Sequence, residues 1–290
     1  MTSKRLSARE WGERIVVALL FTAIGGFVII CFLPWGEGPL LGKTDDYLAK
    51  IGVSVLLLVL ALLARRSERL RKYWQILFAL FILTVTVSLE WVFGKHVALY
   101  LGVSDRTPAG VALAKLNECF VVASVIITFT LLSGASLGSV YVQKGNLRLG
   151  LIIGGIAFLV AAAGSIPMAG LLFKAEGLTL ATVGPWIPWA LTFVLANAAL
   201  EELMFRGLFL RKLEPFCGRF ISNLLVALVF TVLHRGAFYT SDEAIFLAVT
   251  FPLALVWGYV MQKTDGIWGS ILFHAGMDIP IVLGIFANLR

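Results

Sequence analysis

From Trp186 to Leu210 the chain reads WIPWALTFVLANAALEELMFRGLFL, a run in which Glu201, Glu202 and Arg206 are the only charged residues. At about 1.5 Å per residue it is long enough, as a helix, to cross the ~30 Å hydrocarbon core of a bilayer. Eight more apolar runs flank it, at 15–35, 48–64, 73–93, 118–140, 149–172, 219–239, 243–262 and 267–287. The run at 118–140 is the weakest, because Gly134, Ser136, Gly138 and Ser139 dilute its second half. Composition agrees: the 290 residues are 59% hydrophobic and 14% charged, with a mean hydropathy of +0.92, against roughly 45–50% and 25% in soluble domains. The expected fold class is all-α, a polytopic integral membrane bundle of eight or nine transmembrane helices.

The basic residues test this division, since they collect in cytoplasmic loops. With alternating sides, the stretches 4–14, 65–72, 144–148 and 211–219 together with Lys263 place fifteen of the 24 Lys and Arg on one side, eight fall on the other, and Arg206 lies within a span. The amino terminus is therefore predicted in the cytoplasm. The formal charge of +7 needs no nucleic acid to explain it, and no stretch combines dense Lys/Arg with aromatics as a nucleic-acid surface would. The run at 15–35 is too long for a signal peptide and ends in no small-x-small cleavage site, so it is read as a retained span. No organelle-targeting segment is visible, which points to a prokaryotic cytoplasmic membrane. Cys31, Cys119 and Cys217 are odd in number and far apart, so neither a disulfide framework nor a zinc knuckle is expected. Trp35, Trp74, Trp91, Trp186 and Trp268 sit near span ends as interfacial anchors.

There is no internal repeat, and the longest polar connection runs from about Gly94 to Asn117. One compositional shift divides the chain. Residues 1–175 hold spans with few ionisable groups and no assignable role, whereas 176–290 concentrate them. Each charge at a span centre costs on the order of 3 kcal/mol, so partners are required. Glu202 and Arg206 stand at i and i+4 on one helical face and can pair, while Glu201 is turned about 100° away and remains available to another partner. The seventh run supplies Phe230 and His234, and the ninth supplies His274 and Asp278, again at i and i+4. Counted at about 1.5 Å per residue, Glu201 lies roughly 15 Å from Arg211, His234 roughly 22 Å from Arg219, and His274 roughly 12–16 Å from the turn near Asp265. The three can meet in one intramembrane pocket, expected to open toward the cytoplasm. A Glu that takes a proton from water, with a His that holds the water or donates to an oxyanion, suits hydrolysis without a serine or cysteine nucleophile.

Glu-Glu-x-x-x-Arg, Phe-x-x-x-His and His-x-x-x-Asp, in this order over about residues 185–285, resemble the CAAX-processing and bacteriocin-immunity (Abi) family of intramembrane proteases, which includes the Rce1-type prenyl-protein endopeptidases. The resemblance implies an endopeptidase that cuts membrane-associated proteins or peptides near their carboxyl ends. It assigns water activation to Glu201, water positioning to His234, the oxyanion site to His274 and residue 278, and bracing of the pocket to Glu202 and Arg206. One departure stands out: the family's last motif often ends in Asn, an amide donor, where this chain has Asp278, which donates only when protonated. No cofactor is favoured. Zinc is the alternative, with Glu201, His234, His274 and Asp278 as a plausible ligand set.

Two other functions compete. Buried ionisable groups also mark proton-coupled transporters, although the two-halved repeat of many transporters is missing from the sequence, and a non-catalytic immunity or scaffold protein would retain the same residues. Glu202 with Arg206 also reads as a structural ion pair, Phe230 as packing, and Asn197, Asn223 and Arg235 as satisfied polar or interfacial groups. The expected partners are the bilayer and a membrane-associated substrate; oligomeric state is not legible.

Overall fold

A computed structural model describes residues 7–32, 43–94, 96–237, 239–240 and 242–289. Lys4, Arg5, Trp35, Lys95 and Arg290 lie outside them, as do the side chains of Arg9, Cys31 and Lys43. The chain forms α1 (Ala8–Phe32), α2 (Lys43–Arg66), α3 (Trp74–Phe93), α4 (His96–Tyr100), α5 (Pro108–Leu132), α6 (Leu147–Ala163), α7 (Ser165–Phe173), α8 (Leu180–Val183), α9 (Ile187–Glu202), α10 (Leu208–Leu233), α11 (Glu243–Thr264) and α12 (Trp268–Ala287). No strand occurs among the described residues. Leu19, Leu63, Leu132, Leu159 and Leu171 are exposed on the outside of the bundle, a surface that only lipid solvates well.

Seven helical stretches are long and apolar enough to cross a membrane, and eight if the bent pair α6–α7 is one span. One of the seven, Leu180–Leu233, runs for 54 residues, about 80 Å at the usual rise and far beyond a bilayer. It folds back at Gly218, whose φ of 72° interrupts α10 and is open to glycine at no steric cost. Counted as two limbs, it brings the described spans to the nine runs of the sequence. The chain is an integral multi-pass membrane protein.

Two boundaries depart from the sequence reading. The helix expected from residue 118 begins ten residues earlier, at Pro108, where the Thr107 hydroxyl caps the Gly110 amide and proline takes the first turn, a favourable start. What looked like polar connection up to Asn117 is thus helix. Lys115 and Glu118 hide their charges in each other, one turn apart. The run at 149–172 bends by 67° between α6 and α7, at Gly164.

One hydrophobic core draws on most of the spans, with Val17 and Phe21 of α1, Leu57 of α2, Leu80 and Leu83 of α3, Ile126 of α5, Phe209 and Phe230 of α10 and Trp257 of α11. The closest crossing is between α6 and α12. A Cβ on Gly269 would meet the Gly150 Cα at 2.7 Å, and one on Gly154 would meet the Gly269 carbonyl oxygen at 2.5 Å. Small residues spaced by four let membrane helices approach where hydrophobicity gives no net drive. This crossing lies one to two turns below His274 and fixes how far α12 reaches into the bundle.

Candidate active site

The motif Glu201-Glu202 closes α9, and the chain passes through a single π turn, Leu203–Gly207, before α10 resumes. Such wide turns recur at functional sites. Here the turn still brings Arg206 back onto Glu202. Arg206 Nη1 donates to Glu202 Oε1 at 2.8 Å and Nη2 to the Ala254 carbonyl at 3.3 Å. Its guanidinium lies 4.1 Å over the Phe230 ring and 5.4 Å from that of Trp257. Two aromatic faces and a carboxylate are what a fully buried cation needs.

Glu202 is 0% exposed and its oxygens are spent. Oε2 accepts from Ser270 Oγ at 2.5 Å and Oε1 also accepts from His274 Nδ1 at 2.9 Å. A carboxylate already paired with arginine is an acceptor, so Nδ1 carries the proton and Nε2 points the other way. There it faces Glu201 Oε2 at 3.5 Å and Asp278 Oδ1 at 3.6 Å. Glu201 Oε2 is buried without a hydrogen-bond partner. Asp278 accepts on Oδ2 from Asn197 Nδ2 at 3.0 Å. Trp257 stacks flat on the His274 ring, with centroids 3.9 Å apart and 13° between planes.

The structure thus brings Glu201, Glu202, Arg206, His274 and Asp278 into one cluster. His234 stands apart, against the same Phe230 ring: it packs there at 4.6 Å and its Nδ1 donates to the Phe230 carbonyl at 3.0 Å, while His274 meets Phe230 edge to face at 5.9 Å. Phe230, read as packing, is the partition on which both histidines and Arg206 rest.

Residues 183–280 match the family model of the type II CAAX prenyl endopeptidases, Rce1-like. The matched segment is similar to that family. It spans about a third of the chain and contains all six sequence-predicted site residues. The curated proteins and the solved structures yield no match to the chain.

Four residues of the site escape the motifs. Ser270 is legible afterwards, since it precedes His274 by one turn as His274 precedes Asp278. Asn197, left as a satisfied polar group, sits one turn before Glu201 and tethers Asp278. Trp257 comes from α11, and nothing in an apolar helix marks one tryptophan as a stacking partner. Tyr239, in the loop after His234, packs on Phe173 and Phe246 at 6.2 and 5.6 Å. Burial holds its phenol above the ordinary range, and the nearby charges of Glu201 and Asp278 add to the shift; the hydroxyl stays a donor.

Among the described residues, no three His, Cys, Asp or Glu side chains are disposed to share a metal ion. Nδ1 of His274 is held by Glu202 and Nδ1 of His234 by the Phe230 carbonyl, which leaves the Nε2 atom of each as its free ring nitrogen.

A cavity of about 420 Å³ reaches His234, His274 and Asp278. Its walls are mostly apolar: Val160 of α6, Gly164 at the bend, Met168 and Leu171 of α7, Ile245, Phe246 and Val249 of α11. The lining clusters at the α6–α7 bend and around Thr240 and Asp242, at the ends of α10 and α11 remote from Arg219 and Lys263. The physical reason is the turn at Gly218, from which α10 runs its length before His234 ends it. Val160, Met168, Leu171, Ile245 and Val249 on this rim are exposed, so the cavity faces the bilayer.

Proposed function

We propose that the chain is an intramembrane endopeptidase that hydrolyses membrane-associated proteins or peptides near their carboxyl ends with a water activated by Glu201. The observation that carries this reading is the buried Glu201 carboxylate set against His274 Nε2 at 3.5 Å, beside a lipid-facing cavity. Glu201 takes a proton from water as the water oxygen attacks the scissile carbonyl carbon. The carbonyl π pair moves onto oxygen, and the resulting oxyanion is met by the Tyr239 hydroxyl. The proton then passes to the leaving amine as the C–N bond breaks. Asp278 takes the place of the family's Asn by ordering Asn197 and His274. Glu202 and Arg206 brace His274 without touching substrate.

In this reading residues 176–290 carry the chemistry and 1–175 complete the bundle, with the amino terminus in the cytoplasm of a prokaryotic cell. The substrate enters sideways through the α6–α7 and α11 rim. No step is routed through a metal.

The test compares membranes carrying wild type and Glu201→Gln at equal expression, mapping new peptide termini by mass spectrometry. Termini found only with wild type and lying near carboxyl ends support the proposal. Identical termini in both, in cells that express membrane peptides, overturn it.

A further inference from the structure

At the end of the bundle where the basic stretches 4–14, 65–72 and 211–219 collect, a second cavity of about 350 Å³ opens between α1, α3 and α10. Its lining includes Glu13 and Arg14 of α1, Lys72 just ahead of α3, and Lys212 and Phe216 of α10. The Tyr73 ring stacks on Phe216 at 5.4 Å, with 16° between planes, and its hydroxyl donates to Glu13 Oε1 at 2.5 Å. Lys72 Nζ pairs with the same oxygen. Glu10, also on the lining, accepts from the Ser7 amide and hydroxyl at 2.7 and 2.8 Å. Both carboxylates are thus engaged. Arg14, whose guanidinium lies 5.8 Å from the Trp11 ring, forms no ion pair among the described residues. Lys212 Nζ is buried with no hydrogen-bond partner.

A buried amine without an acceptor is costly, and here a second unpaired cation lines the same cavity. Lys72 keeps two further N–H donors beyond the one that meets Glu13. A group that satisfies all three needs several acceptor oxygens on one centre, which a phosphate supplies. Ile15, Val16 and Leu19, in the turns of α1 that follow Arg14, are exposed on the outside of the bundle, so acyl chains attached to such a phosphate have an apolar surface to lie on. We propose that this cavity binds the phosphate headgroup of an anionic phospholipid, held by Arg14, Lys72 and Lys212, with Phe216 backed by Tyr73 as its apolar wall. Basic pockets between transmembrane helices hold such headgroups. The bound lipid ties α1 and the α2–α3 connection, both outside the matched segment, to the first limb of α10 within it. The inference is independent of how Glu201 acts.

The experiment titrates the full chain, purified in a nonionic detergent, with phosphatidylglycerol, with phosphatidylcholine of the same acyl chains, and with inorganic phosphate. Bound molecules are counted by native mass spectrometry, and thermal unfolding without lipid selects the folded variants. Wild type should hold one phosphatidylglycerol about tenfold or more tighter than phosphatidylcholine, with inorganic phosphate weaker still. Lys212→Met and Arg14→Gln should each weaken phosphatidylglycerol about fivefold and the double change about 25-fold, while Lys212→Arg stays within about twofold of wild type. Arg69→Gln removes an exposed cation of the same connection that does not line the cavity, and should also stay within about twofold. Equal retention of the two lipids overturns the inference. So do folded cavity variants that bind like wild type, and an Arg69→Gln loss as large as theirs, which would make the attraction diffuse surface charge. Inorganic phosphate that occupies the site as tightly as the lipid overturns it too, because the acyl chains then contribute nothing and the ligand is free phosphate.

Discussion

Replacing Glu202 by Leu separates bracing from chemistry. Glu202 is fully buried and accepts from Arg206, Ser270 and His274, so its removal strands the Arg206 guanidinium between Phe230 and Trp257. Breaking one side of such a buried pair costs about 3–5 kcal/mol. Activity should fall about 100-fold as well, because His274 loses the acceptor that fixes its Nδ1 and displacements of an ångström carry penalties of that size. The double variant Glu202→Leu/Arg206→Met distinguishes the two effects. Methionine keeps the contact with both rings but carries no charge, and buried pairs replaced by apolar groups of like volume are often neutral. The Ala254 carbonyl loses its Nη2 donor, which retains about 1–3 kcal/mol of the cost. Stability should therefore return in large part while cleavage does not, since His274 is still unanchored. Thermal unfolding in detergent, followed by tryptophan fluorescence, reads the first, and peptide cleavage by the folded fraction reads the second. A double variant that regains both stability and activity would refute the argument that Glu202 acts through His274, and a single variant as stable as wild type would refute the charge argument.

Asp278→Asn should keep cleavage within about tenfold, because the amide still accepts from Asn197, whereas Asp278→Leu should lose roughly 100-fold or more; initial rates at saturating peptide decide it. Trp257→Leu removes the flat stack on His274 and should lower kcat about tenfold with KM little changed. Val249→Trp narrows the rim of the 420 Å³ cavity and should raise KM about fivefold or more while kcat holds, a split that steady-state kinetics resolves; equal effects on both would count against lateral entry. Cleavage should persist in chelator, with substoichiometric metal in the purified protein by elemental analysis. Loss of activity that zinc alone restores would replace the metal-free reading.

The charge-paired faces were legible because they are local. Glu202 and Arg206 lie one turn apart, as do His274 and Asp278, and helical periodicity fixes such neighbours whatever the fold. Length and hydropathy likewise set the all-α membrane class and the nine runs, since backbone groups in lipid must bond within their own helix. Tertiary structure decided what local spacing cannot encode. Glu202 meets His274 and Ser270 across about seventy positions, Asn197 reaches Asp278, and Trp257 covers His274. The runs are all similarly apolar, so hydrophobicity does not select which helix packs on which. Close fit does, at crossings such as Gly150 and Gly154 against Gly269. The direction of the cavity followed from a single backbone turn at Gly218, and the polar start of α5 was hidden because Lys115, read without its partner Glu118, counted as loop.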